Sequence, residues 1–196
     1  GGKTLGLSFN YTGSGILTLE DTASLYQSDD EMVNTGIIHL KRKTTPIRKF
    51  DYTYWSSPVE IQKLADVSPA TLPDKFFSFN PEVNYWNEEI PSTIMSLGKG
   101  YIIRGPQNFS VSVPEKYEAV FKGIPNNGKI KTTIGSADSF NLIGNPYPSA
   151  LDADAFLTDN LGVIKGTLYF WTHNTPLTNN KYASDDYAVY TLLGGV

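Results

Sequence analysis

Apolar residues recur at alternate positions in short runs along this chain, and Gly, Pro, Asn or Asp closes most of the runs. Leu5, Leu7 and Phe9, then Ile16 to Leu19, then Leu25 follow this period of two and predict short strands. The pattern continues in Gly36 to Leu40, Phe50 to Trp55, Lys75 to Phe79, Gly100 to Arg104, Phe109 to Val113 and Ala119 to Gly123. Further runs are Lys129 to Ile134, Phe140 to Ile143, Gly166 to Trp171 and Asp186 to Leu192. Asn127-Gly128 carries the turn chemistry of a two-residue hairpin, so the segments around Val120 and Ile130 are expected to pair.

Only two helices are expected. Ser57 with Pro58 at the first helical position and Glu60 three residues after the Ser forms a capping-box pattern ahead of Ile61 and Leu64. Ser149 is expected to cap a second helix over about Ala150 to Asp159, with Asp152 and Asp154 in its first turn, where the helix dipole favours negative charge. About a dozen strands and two short helices predict an all-β fold, an antiparallel β-sandwich with jelly-roll-like crossing. The spacing of Gly15 to Leu19 and Ala23 to Tyr26 resembles the last rungs of a β-solenoid, so residues 1–45 are read as an N-terminal β segment and 46–196 as the sandwich module.

Composition narrows the chemistry. The chain has no cysteine, which removes thiolate metal sites, a cysteine nucleophile and disulfides. Its formal charge is −4, and its cations are dispersed except for Lys41-Arg42-Lys43, expected at a solvated strand end; a nucleic-acid footprint needs a basic stripe. No stretch has the apolar length of a membrane span, and Gly1-Gly2-Lys3 opens no signal-peptide pattern, as expected of an excised or mature piece. Aromatic residues are abundant, with 12 Tyr, 10 Phe and 3 Trp.

Few residues fit catalysis. The two histidines, His39 and His173, have no activated-serine context and no partner at metal-ligand spacing, and no cofactor is expected. The carboxylate groups Asp29-Asp30-Glu31, Glu88-Glu89, Asp152 with Asp154, and Asp185-Asp186 leave a glycosidase pair or calcium open, although none shows an EF-hand loop. Trp55, Trp86 and Trp171, with Tyr54, Tyr85 and Tyr169, form either a platform on which sugar rings stack or part of the core, the commoner use of such residues. Asn145-Pro146-Tyr147-Pro148 is a favourable setting for a cis bond that would orient the second helix.

Five phrases occur in a fixed order: Asp51 to Pro58, Gly98 to Arg104, Gly123 to Gly128, Asn141 to Ser149 and Tyr169 to Thr175. Together they resemble a region of large secreted surface proteins of the Bacteroidota that lies upstream of a C-terminal type 9 secretion sorting domain. The resemblance implies export by the type 9 machinery to the cell surface, in an adhesin-like protein. It also implies that the last strand continues beyond Val196, so that the module is truncated there, and that a sorting domain follows. Asp21-Thr22-Ala23 fits the short O-glycosylation pattern of such proteins and makes Thr22 a candidate. The expectation is a non-catalytic structural or adhesive module. The alternatives are a carbohydrate-binding module that meets surface glycans through Trp55, Trp86 and Trp171, and an accessory domain of a secreted hydrolase with its catalytic residues elsewhere.

Overall fold

The computed structural model describes residues 2–172, 182 and 186–195. Its elements run β1 (Thr4–Leu7), β2 (Ile16–Leu19), β3 (Ser24–Gln27), β4 (Ile37–Ile47), β5 (Tyr52–Trp55), a one-turn α1 (Leu64–Val67), β6 (Phe76–Asn80), β7 (Tyr85–Glu88), β8 (Tyr101–Arg104) and β9 (Glu115–Gly123). They continue with α2 (Ala153–Asp159), β10 (Thr167–Trp171), β11 (Tyr187–Thr191) and β12 (Gly194–Gly195). The regular elements are therefore mostly strands, as the alternating pattern predicts. The chain forms two compact units, residues 1–150 and 151–196. The division expected after residue 45 falls inside β4, which joins the two expected segments.

In the first unit β1 pairs parallel with β3, while β4 lies between β2, parallel to it, and β9, antiparallel to it. Thr4 stands opposite Ser24 and Ile16 opposite Ile37, spacings of 20 and 21 residues. A third sheet has the order β5-β8-β6-β7 with all pairs antiparallel. Alternation along β4 buries Ile38 and Leu40 and leaves Ile37 exposed. One apolar cluster joins Ile38, Leu40, Ala119 and Phe121 from the β4 and β9 pair to Phe76, Tyr101 and Ile103 from β6 and β8, with Leu64 and Val67 of α1 beside them. Each such large side chain contributes roughly 1.5–3 kcal/mol through removal from water. The second unit holds α2 and the antiparallel sheet β10-β11-β12.

Several local expectations are corrected. Asn127-Gly128 does not turn a hairpin: β9 ends at Gly123 and pairs with β4, and residues 129–134 form no strand. Phe109 to Val113 is not a strand either, because Ser110 Oγ accepts from the amides of Ser112 (3.2 Å) and Val113 (3.0 Å) and offers the backbone a turn instead. Phe140 to Ile143 makes only a single bridge, Ile143 to Lys99. Conversely, β7 over Tyr85–Glu88 pairs with β6 at a place where no strand was expected.

Ser57 starts no helix. Its Oγ donates to the Val59 carbonyl at 2.6 Å, and Val59 bridges to Pro125. The first helix is the single turn at Leu64. The second begins later than expected, with Asp152 rather than Ser149 at the N-cap: its Oδ1 accepts from the Ala155 amide at 3.0 Å. No peptide bond among the described residues is cis, so Pro146 and Pro148 follow trans bonds. Replacing Asp152 by Ala is expected to cost about 1 kcal/mol, and Ser149→Ala to leave α2 unchanged, in urea denaturation followed by circular dichroism.

Candidate functional site

The first four ordered phrases meet in space. Beyond the end of β5 the chain leaves the sheet, and Ser56 Oγ donates to the Asn145 carbonyl at 2.8 Å. Gly144 approaches Ser56 so closely that a Cβ there would lie 2.2 Å from the serine Cβ, which accounts for the glycine. Its amide donates to the Gly98 carbonyl (3.0 Å), and the Gly100 amide donates to the Leu142 carbonyl (3.0 Å), so the second phrase lies beside the fourth. The second phrase also supplies β8, which pairs with β5 from the first.

Asn126 is the hub of this arrangement. It is almost fully buried, and its Nδ2 donates to the carbonyls of Ser57 (3.2 Å) and Pro146 (2.8 Å), while its own amide donates to the Pro58 carbonyl (3.1 Å). Next to it, Asn127 Nδ2 reaches the carbonyls of Asp29 (2.9 Å) and Met32 (3.2 Å). Gly128 takes φ +75°, the conformation glycine favours, and its carbonyl accepts from the Tyr147 hydroxyl at 2.7 Å. Asn145 closes an Asx turn on the Tyr147 amide (2.9 Å) and donates to the Ser149 carbonyl (2.7 Å). The Pro148 carbonyl takes the Leu25 amide at 3.0 Å.

Over this joint lies a cleft of about 360 Å³, lined by Trp55, Tyr54, Ser56, Asn145, Tyr147 and Arg42 among others. Most of the polar groups at its wall are engaged by the fold. Arg42 donates from Nη1 to the Lys41 carbonyl and from Nη2 to the Ala23 carbonyl, both at 2.8 Å, and burial pulls its guanidinium below the ordinary value while Asp21 opposes the shift. The basic run lies within β4 and not at a strand end: Lys41 pairs with Glu20 at 2.9 Å and Lys43 with Glu118 at 3.4 Å.

Each of the three tryptophans has its own aromatic neighbours. Trp55 packs against Phe121 (5.9 Å) and edge-on to Tyr117 (6.4 Å), and Trp86 packs edge-on to Phe79 (5.2 Å) and Tyr54 (6.2 Å). Trp171 belongs to the second unit and packs on Tyr187 at 5.1 Å. All three are half-buried; among the described residues the fully buried aromatics are Phe76, Tyr101 and Phe121, and Trp55 packs against the cluster they belong to without being enclosed in it.

Thr22 is exposed in the turn from Glu20 to Ala23, at φ 68°, an uncommon conformation for a β-branched residue. His39 is half-exposed in β4, whereas His173 lies outside the described residues, as do Asp185 and the end of the fifth phrase. Asp29 accepts from the Glu31 amide (2.9 Å) in a local turn, and Glu89 accepts from Ser78 (2.7 Å) and Thr93 (3.2 Å). Among the described residues no three His, Asp or Glu side chains gather at metal-binding range, and no helix is long and apolar enough to cross a membrane.

What the sequence reading missed was the tertiary use of Asn126: its signal was the whole phrase around it, read there as a hairpin turn. No curated protein and no solved structure matches the chain. Residues 4–196 match the family described as Domain of unknown function (DUF8693), and the chain belongs to that family.

Proposed function

We propose that this chain is a non-catalytic structural module of a larger exported surface protein, one that holds its strands and loops rigid and contributes to adhesion through its surface. The observation that carries the reading is the joint itself. The side chains and glycines of the four ordered phrases that meet there tie backbone segments to one another, as Asn126, Asn145, Tyr147 and Gly144 illustrate. Polar groups already engaged in this way have little left to offer a ligand without breaking a buried hydrogen bond.

The architecture in this reading is a sandwich. The sheets β2-β4-β9 and β5-β8-β6-β7 contribute to one apolar cluster, and the insertion of β8 between β5 and β6 supports the jelly-roll-like crossing. The parallel pairs β1 with β3 and β2 with β4 support a solenoid-like end ahead of it. Export by the type 9 machinery to the cell surface rests on the order of the five phrases, and glycosylation of Thr22 on its exposure in a turn.

A second reading, sugar binding in the cleft, draws on the presence of Trp55, Tyr54 and Tyr147 in its lining. A glycan array with melting curves of Trp55→Ala, Trp86→Ala and Trp171→Ala separates the two. The structural reading expects no saturable binding and a loss of about 2 kcal/mol for Trp55→Ala, less than a fully buried aromatic because the residue is half-buried. Saturable binding that disappears in Trp55→Ala with an unchanged melting temperature would refute it.

A further inference from the structure

We infer that the free edge formed by β1 and β2 is a stacking surface for one more parallel β-coil of about 20 residues, supplied by the same polypeptide ahead of Thr4. The inference deepens the structural reading and rests on it.

Residues 4–19 and 24–40 form two successive strand-turn-strand coils, stacked in parallel with nearly the same residue spacing in both arms, 20 at Thr4 and Ser24 and 21 at Ile16 and Ile37. Nearly equal spacing in both arms is the geometry of a repeating coil. The stack even extends ahead of β1, where the Lys3 carbonyl accepts from the Ser24 amide (2.9 Å) and Gly2 abuts the Thr22 carbonyl. Chain arriving at Gly2 therefore enters at the corner where the second coil also begins, which favours a preceding coil in the same polypeptide as the occupant.

The two sides of the pair differ. On the inner side β9 covers β4, and the Pro148 carbonyl takes the Leu25 amide. On the outer side, among the described residues, β1 and β2 each have a single strand neighbour. Two positions of the outer coil are less covered than the residues opposite them: Leu25 is 2% exposed but Leu5 is 40% exposed, and Ile38 is 0% exposed while Leu17 is half-buried; Leu7 and Leu19, at the ends of β1 and β2, are buried. Leu5 and Leu17, incompletely covered in strands that have one strand neighbour each among the described residues, mark an edge to which a matching coil adds both hydrogen bonds and apolar cover.

The test adds a second copy of residues 4–23 directly before Thr4 of the full chain and compares it with the same extension carrying Asp at the positions copied from Leu5 and Leu17. Hydrogen exchange at the original β1 and β2 amides is the readout. We expect protection of Leu5, Leu7, Leu17 and Leu19 to rise at least about tenfold in the first version and not in the second. Leu5→Ala should also lower the melting temperature more in the extended chain than in the unextended one. An extension that exchanges freely and leaves β1 and β2 unchanged would overturn the inference. So would concentration-dependent protection of the same amides in the unextended chain, since the edge would then join two copies. The structural reading is tested by glycan binding to the unextended chain, and the edge by exchange without glycan, so the two failures are distinguishable.

Discussion

Replacing Phe121 by alanine is expected to lower the unfolding free energy by about 3–5 kcal/mol, the usual loss for a large aromatic removed from a packed interior. Phe121 is 2% exposed, stands opposite Leu40 in the β4 and β9 pair, and carries the packing of Trp55 across from β5. The ring thus connects two sheets, and its removal opens a void that neither sheet fills without moving. A stability loss of that size is a large fraction of the total stability of a domain. Urea denaturation at neutral pH measures it, and a loss below about 1 kcal/mol would mean that the two sheets do not share this core.

The second large effect is expected at Asn126. Asn126→Ala leaves the carbonyls of Ser57 and Pro146 without their donor, at roughly 1–3 kcal/mol for each buried group. Asn126→Asp is more informative because its effect depends on pH. An ionised carboxylate facing two carbonyl oxygens is repelled, so the folded pKa of the new carboxyl is raised above its unfolded value of about 3.9. Stability is then closest to that of the parent below the unfolded pKa and is lost as the pH rises through the folded one. Denaturation of Asn126→Asp between pH 3 and pH 8 tests this, on the order of one unfolding curve per pH unit. A variant whose deficit does not grow with pH would show that the amide does not bridge these carbonyls.

What could be read from the sequence, and what could not, follows from the range of the interactions. The strands β5 and β8 fall within two residues of their expected bounds, because Tyr52 to Trp55 and Tyr101 to Arg104 are dense in aromatic and β-branched residues between turn formers. β4 was found only in its first half. Its continuation through Lys41 to Ile47 depends on Glu20 and Glu118 pairing with its lysines and on β9, far along the chain, supplying the ladder. Asn127-Gly128 was misread for a related reason: the positive φ at Gly128 is real, but the same residues serve a local hairpin or a loop tied to Asp29 and Met32.

The candidate site was legible as a set of phrases and not as a place. Nothing local in Asn126 says that it caps Ser57 and Pro146, and Trp55, conspicuous in the sequence, packs only at the side of a core that Phe76, Tyr101 and Phe121 fill. Helix starts went wrong where a serine had a nearer partner: Ser57 closes on Val59, and the Ser149 carbonyl is held by Asn145 ahead of the point where Asp152 caps α2. Such competition between local side-chain bonds and helix initiation turns on single hydrogen bonds and leaves no periodic trace in the sequence.

The central claim is that the meeting point of the ordered phrases is a structural joint. Native-state hydrogen exchange of its amides tests this most directly, since binding loops open locally at low free energy whereas structural joints open only with the whole domain. The amides of Leu25, Glu60, Asn126 and Gly144, which donate to the carbonyls of Pro148, Ile124, Pro58 and Gly98, are the reporters. These amides are expected to exchange with the same opening free energy as the core amide of Phe121. Exchange through local openings several kcal/mol cheaper than the core would contradict it and mark the phrases as a mobile binding surface.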